Sequence, residues 1–283
     1  MPRLLINLPR GFFQAPQLAP IFSRLSRAAK VRQTSHDTRE QLQEDLAWAE
    51  AVIMWAWPNL TDDLLAKAPA LRFAGFINVT QTTVKSCLSR GIAVSEARHG
   101  WSQAVAEMAL GLILSGLRKL SDYHSAMRAG NETWVQDFPL DIDPLERELT
   151  GSAVGIVGFG GIGRRLAEFL RPFRVELRVY DPYISRETAE SYGAQVCSIE
   201  ELARRSDVVV LCAANNEGTR HLLGRAEIMM LKPNSLLVNV GRSMLVDMEA
   251  LTERLQRGDL LAMLDVFDRE PLEKLGIPLS QEW

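Results

Sequence analysis

The sequence contains few cysteines and no long apolar segment. Its three cysteines, Cys87, Cys197 and Cys212, include no Cys-x-x-Cys pair, which favours free thiols in a reducing, cytoplasmic setting over a disulfide framework. For Cys212, within VVVLCAA, we expect a small strand residue, with a nucleophile as the alternative. No run of about 18 apolar residues occurs, and the N-terminus lacks a cleavage site of small residues, so we expect neither a membrane span nor a signal peptide.

Basic residues are not in excess either. Lys and Arg number 32 against 35 Asp and Glu, and the formal net charge is -3. This balance argues against nucleic acid as a partner, and we expect no metal site. A chain of 283 residues that is 47% hydrophobic and 24% charged is typical of a globular protein with about two domains.

Short strand-like segments and helical patterns alternate through the first part of the chain. The apolar segments lie at residues 4–7, 31–34, 51–55, 71–77 and 92–96. Such alternation predicts an α/β fold, in which helices cover both faces of a doubly wound parallel sheet. We assign residues 1–98 to this first domain.

A long apolar helix is predicted next, over residues 102–128. Val105, Met108 and Leu112 recur at helical spacing, with Ser102 as a candidate N-cap and Gly130 beyond the end. Because apolar residues occupy several of its faces, more than one must be covered, by domain packing or by a partner chain. Residues 131–149 are polar and contain proline, which favours an irregular surface connection.

A second alternating unit runs from about Ser152 to the end of the chain. Its apolar segments lie at residues 153–157, 176–180, 194–197, 207–213, 236–240 and 261–266. Six strands with crossover helices are what a doubly wound dinucleotide-binding fold requires. We assign residues 99–283, including the helix, to this second domain.

Gly158-x-Gly160-x-x-Gly163 lies between the first strand and the first helix of this unit. In a dinucleotide fold the first glycine makes a tight turn, the second lets the backbone approach a pyrophosphate and the third permits close helix packing. The phosphates would bind at the helix N-terminus. Tight helix–strand packing without a ligand is the alternative interpretation.

Asp181 follows the next strand, 18 residues after Gly163. An acidic residue about 20 residues beyond the glycines binds the ribose 2′-hydroxyl in dinucleotide sites. Its charge would repel a 2′-phosphate, so the sequence favours NAD over NADP. The alternative is an aspartate that caps the turn before Pro182.

Two late segments carry a family resemblance. LLVNVGRSMLVDMEAL holds Asn239, Arg242 and Asp247, and LLAMLDVFDREPL holds Asp265 and Glu270. Together they resemble the D-isomer-specific 2-hydroxyacid dehydrogenases, with Ser243 where that family has glycine. The resemblance implies a flavodoxin-like substrate domain, a Rossmann NAD-binding domain and a homodimer formed through the 102–128 helix.

The resemblance also implies roles for individual residues. Arg242 would hold the carboxylate of a 2-hydroxy or 2-keto acid, since a planar guanidinium suits a carboxylate; a surface ion pair is the alternative. Glu270 would orient a catalytic histidine. The implied cofactor contacts are Gly158, Gly160, Gly161, Ile162, Gly163, Asp181, Ala213, Ala214, Val240, Gly241, Arg242 and Asp265.

The substrate side departs from the family pattern. AGFINVTQTT lacks the acidic residues of the family's substrate loop, so Gly75, as the mark of a turn, and Phe76 are the candidates there. His99, between the two predicted domains, is a candidate substrate contact, with a solvated loop histidine and a replacement acid as alternatives. The segment LCAANNEGTRHL also departs from the family pattern, since it has Ala214 where the family often has proline.

The family's histidine belongs to a Pro-His segment beyond Glu270, whereas none of the four histidines of this sequence lies beyond residue 221. The sequence therefore predicts that the 283-residue chain binds NAD but reduces 2-keto acids poorly. Two functions remain open: an NAD-dependent 2-hydroxyacid dehydrogenase, and a non-catalytic, dimeric NAD-binding regulator or sensor. A methyltransferase-type Rossmann protein is disfavoured because it would not need both Arg242 and Glu270.

Overall fold

All strand pairs in the described structure are parallel, and they form two separate sheets. The computed structural model describes residues 1–97, 99–131, 145–214 and 216–274. It divides into two units, Met1–Gly100 and Trp101–Trp283, two residues later than the division expected from the sequence. Most of the predicted 131–149 connection and the last nine residues lie outside the described part of the chain.

The first unit has a five-stranded sheet in the order β2-β1-β3-β4-β5, which is the flavodoxin-like order. Successive residues of β1 enter different cores, Leu5 with Leu42 on one face and Ile6 on the other, because side chains alternate across a strand. Its elements are β1 (Arg3–Asn7), α1 (Arg10–Gln14), α2 (Ala19–Ala28), β2 (Lys30–Thr34), α3 (Arg39–Trp48), β3 (Ala51–Met54), α4 (Asp62–Ala66), β4 (Phe73–Phe76), α5 (Gln81–Leu88) and β5 (Ala93–Glu96).

The second unit has a six-stranded sheet in the order β11-β10-β9-β6-β7-β8. This is the 3-2-1-4-5-6 order of dinucleotide-binding domains, so both parts of the predicted α/β fold are confirmed. Its elements are α6 (Ser102–Leu117), α7 (Leu120–Arg128), β6 (Ala153–Val157), α8 (Gly161–Leu170), β7 (Glu176–Tyr180), α9 (Arg186–Ser191), β8 (Ala194–Val196), α10 (Ile199–Arg205), β9 (Val208–Leu211), α11 (Arg225–Met230), β10 (Ser235–Asn239), α12 (Met248–Gln256), β11 (Leu260–Leu264) and α13 (Arg269–Lys274).

The single helix predicted over 102–128 is two helices, and the prediction of one is wrong. Helix α6 ends at Leu117 with Arg118 as its C-cap, and Lys119 has a positive φ of 50° that a right-handed helix cannot accommodate. Ser102 is also not the cap, since Trp101 occupies that position without a side-chain hydrogen bond. Over the described ranges, no helix combines the length and apolar character needed to cross a bilayer.

Helix α6 packs on the second sheet through small and branched residues. Ala106, Ala109 and Ile113 are fully buried in the core that also holds Val154 and Ile156 of β6. A Cβ at Gly116 would lie 2.9 Å from Leu236 Cδ1, so that glycine permits the close approach of α6 to β10. The other face of the sheet packs against α10, α11 and α12 through residues such as Leu202 and Leu251.

Candidate functional site

The glycine-rich turn joins the carboxyl end of β6 to α8. Gly158 has a positive φ of 90°, and a Cβ there would lie 2.5 Å from Ala213 Cα. A Cβ at Gly163 would lie 2.4 Å from the Gly158 carbonyl oxygen. At Gly160, by contrast, a Cβ would meet no atom within 4 Å. The first and third glycines are therefore required by packing, whereas the second leaves open space beside the backbone.

The amino end of α8 faces this turn. Gly161, Ile162 and Gly163 are its first residues, and amide N–H groups at this position have no partner within the helix. Their exposed dipoles favour an anion. Open space at Gly160 beside these donors fits a dinucleotide pyrophosphate, as the sequence pattern predicts.

Asp181 lies just beyond the carboxyl end of β7, adjacent to β6 in the sheet. Its Oδ2 accepts a hydrogen bond of 2.7 Å from Phe159 N, and its Oδ1 accepts one of 2.9 Å from Tyr183 N. The side chain is half-buried, and each carboxylate oxygen has a second lone pair for a further donor. Asp181 thus combines a turn-capping role with the capacity to accept from a ribose hydroxyl.

Two further turns leave the same edge of the sheet. The turn after β9 holds Ala213, which is half-buried, and Ala214, which is exposed; Thr219 Oγ1 donates to the Ala214 carbonyl at 2.8 Å. The turn after β10 holds Val240 and Gly241, and a Cβ at Gly241 would lie 3.2 Å from the Ala213 carbonyl oxygen. The two turns lie side by side because β9 and β10 are neighbours in the sheet.

Arg242 is exposed at the end of the β10 turn. Its Nη1 donates to the Gly241 carbonyl at 2.7 Å, and its other N–H groups make no hydrogen bond within the described structure. Asn239, which is fully buried, anchors the turn through its amide. An exposed guanidinium on an anchored turn can receive a carboxylate.

Asp265 and Glu270 follow β11 at the same edge. The Asp265 N–H donates to the Asn239 carbonyl at 3.0 Å, and its side chain is exposed. Glu270 lies in the first turn of α13 and is also exposed. The reversal of strand order between β6 and β9 marks this edge as the place where open α/β sheets bind ligands.

The predicted substrate contacts of the first unit are less well placed to meet a ligand. Gly75 lies inside β4, paired with Ile53 and Ser95, so its predicted position in a turn is wrong. The Phe76 side chain is 4% exposed and packs in the core, which leaves only its backbone for a ligand. His99 lies in an exposed turn.

A charged cluster on the first unit was not predicted from the sequence. Asp45 Oδ2 lies 2.9 Å from His36 Nε2, and its Oδ1 accepts from Arg32 Nη1 at 2.9 Å. Burial opposes ionisation of Asp45, but these two partners hold its pKa below the usual value. Nothing in the separation of these residues along the sequence could have indicated the cluster, because β2 and α3 bring them together.

Comparisons with known proteins agree with the geometry of the second unit. Residues 110–280 match the profile described as "D-isomer specific 2-hydroxyacid dehydrogenase, NAD binding domain". The chain is 32% identical over 251 residues to a D-3-phosphoglycerate dehydrogenase of Methanocaldococcus jannaschii, covering 87% of this chain and 47% of that protein. It is 33% identical over 230 residues to a glyoxylate reductase of Aeropyrum pernix, covering 79% and 68%.

A solved structure shows the same architecture across both units. D-lactate dehydrogenase from Aquifex aeolicus, crystallised with NAD and lactic acid, is 25% identical, with a TM-score of 0.74 over 99% of this chain and 82% of that one. The chain spans about half the length of the phosphoglycerate dehydrogenase that it matches and about two thirds of the glyoxylate reductase. Its profile match and its sequence identities establish that the chain belongs to the D-isomer-specific 2-hydroxyacid dehydrogenase family and carries that family's NAD-binding domain.

Proposed function

We propose that this protein interconverts a 2-hydroxy acid and its 2-keto acid by hydride transfer. The observation that carries the proposal is the position of Arg242, exposed on a turn at the same sheet edge as the glycine-rich turn. One strand, β9, separates the strands that these two turns follow. NAD, when bound, supplies the hydride acceptor or donor.

Each site residue has a chemical task in this proposal. Gly160 and the amino end of α8 hold the pyrophosphate, and the Asp181 carboxylate accepts from the ribose hydroxyls. Arg242 binds the substrate carboxylate through parallel N–H groups and polarises the C2 oxygen. Glu270 would orient an imidazole that gives its proton to that oxygen, and Asp265 would lie at the nicotinamide end of the cofactor.

Residues 1–98 are proposed as the substrate domain, with Gly75, the Phe76 backbone and His99 as candidate contacts. Relatives include glyoxylate reductases and a 4-methyl-2-oxopentanoate reductase. We therefore propose a 2-keto acid of small to medium size as the substrate class. Neither the described residues nor the comparisons favour the alternative of a non-catalytic regulator over this function.

A homodimer is proposed through α6 and α7. The buried face of α6 packs on its own sheet, yet Met108 is 48% exposed, and Leu120 and Met127 of α7 are 56% and 63% exposed. A second copy would cover this apolar surface by two-fold symmetry. Because all three cysteines are free thiols, we propose that the protein acts in the reducing cytoplasm.

Activity and binding measured together test the function. The protein expressed from its natural gene should oxidise NADH in the presence of glyoxylate, pyruvate or 4-methyl-2-oxopentanoate. Arg242→Gln should lower kcat/KM by about 10²–10³, because it removes a charge that stabilises the transition state. The NADH Kd should change far less than kcat/KM, although the family resemblance also gives Arg242 a cofactor contact.

Arg257→Gln is the matched control, since Arg257 is an exposed arginine on the opposite edge of the unit that pairs with Glu253. This variant should retain wild-type kcat/KM. A wild-type protein that binds NADH but turns over no 2-keto acid would support the non-catalytic alternative instead.

A further inference from the structure

Asn239, the last residue of β10, is fully buried and uses both ends of its side-chain amide. Its Oδ1 accepts a hydrogen bond of 3.0 Å from Gly241 N. Its Nδ2 donates one of 3.0 Å to the Arg242 carbonyl. The amide therefore closes the turn from within, at the two residues that determine where the Arg242 side chain leaves the backbone.

The backbone of Asn239 makes a second connection. Its carbonyl accepts from Asp265 N at 3.0 Å, which joins the carboxyl ends of β10 and β11. Arg242 itself is extended, with φ -146° and ψ 149°. One buried residue thus sets the relative positions of Arg242 and Asp265, two residues to which the proposed function gives tasks.

We propose that Asn239 is a positioning residue that holds Arg242 in the geometry for binding a substrate carboxylate. The inference rests on the proposed function of Arg242. A neutral amide is the side chain suited to this place because it donates and accepts at once, whereas a carboxylate only accepts and a leucine does neither. Loss of the Oδ1 bond leaves the N–H of buried Gly241 unpaired. Loss of the Nδ2 bond leaves the Arg242 carbonyl with the Leu245 N–H, at 3.2 Å, as its remaining donor and lets the turn move.

Asn7 of the first unit provides a matched comparison. It is the last residue of β1 and is 2% exposed. Its Oδ1 accepts from His36 N at 2.8 Å, and its Nδ2 donates to the His36 carbonyl at 3.0 Å. Each asparagine holds a backbone segment with both ends of its amide, yet the segment after β2 that Asn7 holds carries no residue with a task in the proposed function.

The Asn239→Asp variant distinguishes an effect on the position of Arg242 from an effect on the stability of the fold. The new carboxyl keeps an acceptor for Gly241 N but, when ionised, places a second oxygen against the Arg242 carbonyl. When protonated, it can donate there and restore the native pattern. Burial raises the pKa of such a carboxyl, so the variant should recover at low pH.

Among the described residues, ionisable groups also lie on the turns and elements next to position 239. They are Arg242 on the same turn, Asp265 after β11, Asp247 at the start of α12 and Cys212 after β9. Burial raises the pKa of the Cys212 thiol to about 12, so it stays neutral.

The experiment measures binding of oxamate, an unreactive 2-keto acid analogue, to the NADH complex by calorimetry. The ratio of the Asn239→Asp Kd to the wild-type Kd should be below about 3 near pH 5.5 and above about 10 near pH 8.5. Asn239→Ala should bind oxamate weakly at both pH values. Asn7→Asp should keep a ratio near 1 throughout and should retain wild-type NADH affinity.

Amide hydrogen exchange over residues 239–243 gives a readout independent of the ligand. Asn239→Ala should lose protection at Gly241, and Asn7→Asp should keep it. A ratio that does not change with pH in Asn239→Asp, or the same change in Asn7→Asp, would overturn the inference while leaving the proposed function intact. A wild-type NADH complex that binds no oxamate would overturn both.

Discussion

Asp181 Oδ2 and Phe159 N are joined by a hydrogen bond of 2.7 Å. Phe159 lies between the first two glycines of the turn, so this bond connects the end of β7 to the glycine-rich turn. The residue proposed to select the cofactor by its charge therefore also shapes the loop. Substitutions of Asp181 must separate these two tasks.

Asp181→Asn makes that separation. The amide keeps an oxygen for Phe159 N, leaves the exposed Tyr183 N–H to solvent and removes the negative charge that would repel a 2′-phosphate. Wild type should bind NADH at least about tenfold more tightly than NADPH, a difference of about 1.4 kcal/mol. The variant should bring the Kd values for NADH and NADPH closer together, as measured by fluorescence titration. It should lose little stability, as measured by thermal unfolding.

Asp181→Ala should in addition loosen the turn, because Phe159 N loses its acceptor. It should therefore weaken the binding of both cofactors. NADPH bound by wild type as tightly as NADH would contradict the role given to Asp181.

Alanine should weaken cofactor binding at Gly160 and lower the stability of the fold at Gly163. At Gly160 a methyl group meets open space and φ is -77°, so Gly160→Ala should fold normally and weaken NADH binding at least about tenfold. At Gly163 a methyl group would lie 2.4 Å from the Gly158 carbonyl oxygen. Gly163→Ala should cost about 1–3 kcal/mol of stability. Equal unfolding temperatures for the two variants would refute this division.

Met108→Lys should convert the proposed dimer to a monomer. Met108 is 48% exposed on α6, and a lysine there places an unpaired charge in an apolar interface. Leu88→Lys is the control, since Leu88 is 59% exposed on the first unit. Sedimentation at micromolar concentration should show a dimer for wild type and Leu88→Lys only; a monomeric wild type would contradict the proposal.

Asp207 should contribute stability that acid removes. Burial opposes ionisation of its carboxyl, but hydrogen bonds from Lys232 Nζ and Ala153 N outweigh that cost and hold its pKa below 3.8. A lowered folded-state pKa means that the contribution is complete above the unfolded value and is lost as pH falls through the folded one. Wild type should therefore be more stable than Asp207→Asn at neutral pH.

That difference should shrink as pH falls below about 4, measured by urea unfolding at a series of pH values. Glu168→Gln, which removes an exposed pair with Arg165, should show no such convergence. A constant difference between wild type and Asp207→Asn would show that the ion pair is not its source.

The sequence alone predicted both sheets, the glycine-rich turn and the edge at which Arg242 lies. Those features depend on local patterns, because strand–helix alternation implies parallel strands and glycine spacing implies a strand–turn–helix junction. Asp181, the acid after β7, was also predicted from the sequence, because the length of one helix and one strand sets its distance from the glycines.

Other features depended on packing between distant segments. The break at Lys119, the strand position of Gly75 and the burial of Phe76 follow from contacts that no local pattern contains. Asn239 is the clearest case. Its place in the family motif could be assigned from the sequence, but its hydrogen bonds to Gly241 and Arg242 could not be predicted.

Sequence therefore determined which residues reach the carboxyl edge of the second sheet, because strand order and chain direction follow from alternation. Only the tertiary structure decided which of them are exposed to a ligand and which hold others in place. The physical reason is that a buried polar side chain must find its partners inside the fold, and strand register together with the path of each turn sets those partners.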